Sequence, residues 1–135
     1  LALLDGTLRV ADLPEAWRAR FVDDLGIAPP DDRDGCMQDV HWFAGPVGGA
    51  FQGYTIGNVV AAQLYDRAVH DLPTLPGNIA RGEFGDLLGW LHTNLHALGR
   101  KHDVHETVRR ATGSALTIEP YMAYLHGKFG TLYGV

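Results

Sequence analysis

Gln38, Asp39, His41, Trp42 and Tyr54 stand close together in the sequence and could do chemistry as a set. A histidine held by a carboxylate, with a tyrosine hydroxyl beside it, can donate hydrogen bonds to an oxyanion that develops during acyl chemistry. Asp39 and His41 are two positions apart, so they share a face if the segment is extended. A polar cluster that only braces a loop would use the same residue types.

Other residues compete for a chemical role. The chain has 7 histidines, and His92 and His96 are spaced to lie on one helix face, a spacing that can bind zinc. A zinc site normally needs a third protein ligand, and Thr93 follows His92, so the H-E-x-x-H pattern is absent there. His105-Glu106-Thr107-Val108-Arg109 begins like that motif but places an arginine at the second ligand position. His92, His96, His102 and His105 are therefore read as structural or surface residues, and no metal ligand is assigned in this chain. Cys36 as a nucleophile would need His41 as its base, and nothing in the spacing fixes that pair, so it reads as a small buried residue. The stretch Gly45 to Gly53 leads into a helix and could cradle an anion through backbone N–H groups. It lacks both the P-loop and the dinucleotide patterns, which leaves a carboxylate, or a tight backbone crossing, as its readings.

The elements that must position these groups read as helices. The 135 residues fit one compact domain, and a 46% hydrophobic fraction is enough for a core. A net charge of −5 argues against a nucleic-acid partner, and no apolar run approaches a membrane span. The single cysteine excludes an internal disulfide and points to a reducing, cytoplasmic setting. Asp12 as N-cap, Pro14 in the first turn and Gly26 after the end bracket a helix whose Leu13, Trp17, Phe21 and Leu25 form one buried stripe. Residues 27–53 lack helical periodicity and form a long irregular loop, with short extended pieces expected at Met37–Trp42. Helices follow from Thr55 to about Asp71, from Phe84 to Leu98, from Asp103 to Gly113 and from about Thr117 onward, with a short turn or helix at Asn78–Arg81. The fold class is mainly α. An apolar helical pattern is already under way at Leu1, so the expectation is a piece of a longer chain.

At the candidate site the sequence resembles a known family. Gly35-Cys36-Met37-Gln38-Asp39-Val40-His41-Trp42 is similar to the G-x-x-Q-D-x-H-W signature of the carboxypeptidase Taq family of zinc metallocarboxypeptidases. Asp12 to Trp17, Leu25-Gly26 and Pro29-Pro30 resemble the family's stretch before that motif. Gly49 to Asn58, Ala61 to Leu64, Ile79 to Gly82, Ala111 to Gly113, and Tyr124-Leu125 through Leu132 to Gly134 continue the resemblance in order. Many members carry Gly-Tyr-Phe-Pro-Thr-Tyr in the loop. Here it reads Gly49-Ala50-Phe51-Gln52-Gly53-Tyr54, which retains the last tyrosine and replaces the first by Ala50.

The resemblance implies the C-terminal helical portion of an all-α zinc peptidase that releases single residues from peptide C-termini. It implies a cofactor, zinc, held by an H-E-x-x-H helix and a further glutamate upstream of these residues. It also implies peptide substrates, a homodimer, and a chain that is inactive alone. By similarity with related all-α peptidases, His41 and Tyr54 would hydrogen-bond the tetrahedral intermediate. Asp39 would orient His41, Gln38 would line the cleft, and Trp42 would bind or orient beside them. The rival reading is a stand-alone, non-catalytic helical module for binding or assembly.

Overall fold

The computed structural model describes residues 1–45 and 50–134. Among these, the regular structure consists of α-helices and short 3₁₀ turns, with no strand. The helices are α1 (Leu13–Leu25), α2 (Phe51–Asp71), α3 (Leu75–Ala80), α4 (Gly85–Asn94), α5 (Val104–Thr112) and α6 (Glu119–Tyr133), and 3₁₀ turns occupy Val10–Asp12, Val40–Trp42 and His96–Leu98. The chain divides into two compact units, Leu1–Tyr54 and Thr55–Val135. The first turn of α2 belongs to the former.

In the first unit the start of α1 differs from its sequence signal. Asp12 occupies the N-cap position with φ −92° and ψ −2°, and its side chain makes no capping bond. A side-chain cap needs extended backbone at that residue. Here the 3₁₀ turn before it runs straight into the helix, and the carboxylate instead accepts from Arg9 Nε and Nη2 at 2.6 and 2.7 Å. The end follows expectation: Gly26 adopts φ 68° and donates its N–H to the Val22 carbonyl. The apolar stripe is not the buried seam its spacing predicts. No α1 residue is buried, and Leu25 is 62% exposed. The stripe gains an aromatic cover at its middle, where Trp17 stacks on Phe21 and meets Trp42, each at 5.5 Å between ring centroids.

The segment after α1 is a folded turn with a buried floor of Pro29, Gly35 and Cys36. Gly35 is required there, because a Cβ would sit 2.7 Å from the Asp31 carbonyl oxygen. The extended piece expected at Met37–Trp42 is not formed. Asp39 has extended dihedrals, and Val40–Trp42 winds into a 3₁₀ turn because the Asp39 carboxylate caps the His41 N–H. The irregular loop also ends earlier than predicted, since α2 begins at Phe51 rather than Thr55. Two backbone bonds fix that start: Ala50 N–H to the His41 carbonyl at 2.7 Å, and Gly53 N–H to the Ala50 carbonyl at 3.1 Å.

The second unit holds the core. Leu64, Ala68, Leu75, Trp90 and Ala111 are buried, with Val60, Val69, Leu72, Ile79, Leu87, Leu91 and Leu95 packed on them. Gln63 is also buried. Its side-chain amide donates to the Ala115 carbonyl at 2.8 Å and to Ser114 Oγ at 3.0 Å, and its oxygen accepts the Thr117 N–H, so all of its buried polar atoms are paired. Helix α4 stops at Asn94, before the predicted Leu98. The Asn94 side chain donates to the Trp90 carbonyl, Leu95 leaves helical geometry at φ −125° and ψ −60°, and a 3₁₀ turn follows. Asp103 caps α5 through the Glu106 N–H as expected, and Gly113 closes it at φ 80°. Glu106 does not complete the reciprocal capping box, because Arg109 and Arg110 take its carboxylate at 2.8 and 2.7 Å.

Candidate functional site

The candidate site is built where the 3₁₀ turn meets the first turn of α2. Asp39 Oδ1 lies 2.9 Å from the His41 backbone nitrogen, which donates to it, and 2.6 Å from the ring Nδ1. One carboxylate oxygen therefore fixes both the backbone and the side chain of His41. Those two hydrogen bonds, the backbone one foremost, hold the Asp39 carboxyl below its ordinary range, so it is ionised at neutral pH.

Two rings from α2 face the imidazole. Phe51 lies 5.6 Å away between centroids and Tyr54 5.7 Å away, edge-on, with Phe51 and Tyr54 6.3 Å from each other. The two aromatics are three residues apart in one helical turn, which places them on the same face. Sequence reasoning that began the helix at Thr55 missed Phe51. The signal that could have found it is its position three residues before Tyr54.

The remaining signature residues divide by direction. Trp42 turns inward: its indole N–H donates to the Cys36 carbonyl at 2.7 Å, and its rings contact Trp17 and Phe43. It ties the turn to the buried floor and acts on His41 through the backbone. Gln38 is exposed on the residue before Asp39, with its backbone N–H bonded to Gly35. Cys36 is buried, and its Sγ lies 3.9 Å from the Asp32 carbonyl. In the glycine-rich stretch proposed as an anion cradle, residues 46–49 lie outside the described residues.

The structure separates the histidine pair that the spacing put on one helix. His92 lies in α4 and His96 in the 3₁₀ turn after the break at Leu95, and both are exposed. Among the described residues no three His, Cys, Asp or Glu side chains gather as a metal site would require.

The comparisons with known proteins identify the family. The family model for carboxypeptidase Taq (M32) metallopeptidase matches residues 1–129. Thermostable carboxypeptidase 1 of Thermus thermophilus is 46% identical over 134 residues, covering 99% of this chain and 26% of that protein. Carboxypeptidase 1 of Bacillus subtilis is 36% identical, over 98% of this chain and 26% of its own length. The crystal structure of the M32 carboxypeptidase from Deinococcus radiodurans superposes with a TM-score of 0.92 at 51% identity, covering 99% of this chain and 27% of that one. The chain thus spans about a quarter of the length of the relatives it matches. Matched over residues 1–129, the chain belongs to the carboxypeptidase Taq (M32) metallopeptidase family.

Proposed function

We propose that this chain is the C-terminal portion of a zinc-dependent carboxypeptidase that releases single residues from peptide C-termini, and that it supplies one wall of the cleft. The observation that carries this reading is the gathering of the Asp39–His41 pair and the Tyr54 ring at one turn. His41 and Tyr54 donate hydrogen bonds to the oxyanion that forms when water adds to the scissile carbonyl. Asp39 orients the imidazole, Gln38 lines the cleft, and Trp42 anchors the turn. The metal of the family is assigned to residues outside this chain. The enzyme works in the cytoplasm as a homodimer. A reducing setting suits a chain with one cysteine, buried and unpaired, and no helix among the described residues is long and apolar enough to cross a membrane.

The test is kinetic. In the complete enzyme, Tyr54→Phe and His41→Ala each lower kcat by about 10²- to 10³-fold, the loss usual for one oxyanion donor. KM changes little, because the interaction is made only in the transition state. Full activity in both variants would remove this assignment.

A further inference from the structure

We infer that His41 works as an imidazolium, so that Asp39 makes it a charged donor and couples turnover to the protonation of this one ring. The inference rests on the reading above, and it follows from how the two ring nitrogens are used. An ionised carboxylate has no hydrogen to give. The 2.6 Å contact between Asp39 Oδ1 and His41 Nδ1 therefore places a proton on Nδ1. The same oxygen also accepts the His41 backbone N–H, which fixes the ring's orientation against its own turn. A neutral imidazole carries only one N–H. With that proton held on Nδ1, Nε2 of neutral His41 is a bare acceptor and would repel an oxyanion. Nε2 becomes a donor only when the ring takes up a second proton.

The titratable groups facing the ring are the Asp39 carboxylate from its own turn and the Tyr54 phenol from the first turn of α2. Phe51, the other ring from α2, carries no charge and lies tilted at 46° to the imidazole, 5.6 Å away between centroids. The carboxylate is an anion in hydrogen-bond contact with the ring, which can compensate a positive charge there. Asp39 thus does more than orient: it compensates the charge that the donor role requires.

Two readouts test this. In the complete enzyme, kcat falls about tenfold per pH unit above the His41 titration, as one essential proton demands. Tyr54→Phe lowers the plateau but keeps that alkaline limb. Asp39→Asn moves it to lower pH. His41→Gln, whose side-chain amide donates without titrating, retains part of the activity and loses the limb. Independently of turnover, long-range proton–nitrogen NMR of the His41 ring in this chain should find Nδ1 protonated and Nε2 bare at alkaline pH, with both protonated at acid pH. A hydrogen on Nε2 of the neutral ring, or an alkaline limb that persists in His41→Gln, would overturn the inference while leaving His41 a donor. If His41→Ala and His41→Gln both keep full kcat, it is the functional reading itself that fails.

Discussion

Gly35 carries no functional group, yet the site hangs on it. Its neighbours leave no room for a side chain: an added Cβ would meet the Asp31 carbonyl oxygen at 2.7 Å and the Pro29 Cβ at 3.2 Å. Both obstacles belong to stiff parts of the chain, so the turn itself must move. Gly35→Ala should cost about 1 to 3 kcal/mol, as overpacking does elsewhere. It should also lower activity, because the adjacent Cys36 carbonyl is the acceptor that fixes Trp42. Denaturant unfolding together with kcat checks this, and an unchanged midpoint would show that the turn yields easily. At this scale the signature was legible in residue types: Asp39 does hold His41, and Tyr54 does come to it. How they meet was not legible. Alternation suggested an extended strand, whereas the contact arises from a cap that bends the chain. The indole N–H of Trp17 is another feature beyond reach of the sequence, being buried with no hydrogen-bond partner among the described residues.

Asp71, at the C-terminal end of α2, shows how one element is locked to another. Its carboxylate accepts from Arg67 Nε at 2.9 and 3.0 Å and from the Trp90 indole N–H of α4 at 2.9 Å. Those bonds, Arg67 first and then Trp90, hold its pKa down to about 2 from an ordinary 3.8. The folded state thus prefers the ionised carboxylate. The stability this contributes is fully present above the ordinary value and drains away as pH falls from there through about 2. Asp71→Asn should therefore be less stable than the parent at neutral pH, and the two should converge on acidification. Thermal unfolding from neutral pH down to pH 2 gives the comparison, and a gap that stays constant with pH would contradict it. Helix ends marked by local chemistry, such as Gly26, Asp103 and Gly113, were readable from sequence because the signal sits within one turn. The stop at Asn94 and the burial of Trp90 were not. Both depend on a partner supplied by another part of the chain or on a side chain folding back on its own helix.

For the molecule as a whole, the decisive feature is how much apolar surface stays uncovered. In the first unit Leu25 and Ile27 are each 62% exposed, and in the second Leu88 is 62% and Leu132 71% exposed. Single exposed leucines are ordinary on a soluble protein. Here Leu25, Leu88 and Leu132 lie on α1, α4 and α6, helices whose spacing predicts a buried face, in a chain that spans about a quarter of the length of its relatives. On the reading proposed above, the rest of the enzyme covers those faces and holds the metal. Two consequences then go together for the 135-residue chain purified by itself. It should self-associate with rising concentration and bind a hydrophobic dye, since bare apolar faces find each other. It should also hydrolyse no blocked dipeptide above background, even with zinc added, because the Asp39–His41–Tyr54 group can stabilise an oxyanion but neither activates water nor polarises a carbonyl. Sedimentation velocity over a range of concentrations and a peptidase assay on the same sample measure both. A monomer that ignores the dye would mean that these faces are natural surface, which favours a stand-alone module. Metal-dependent turnover would mean that the chain carries a centre that the described residues do not form.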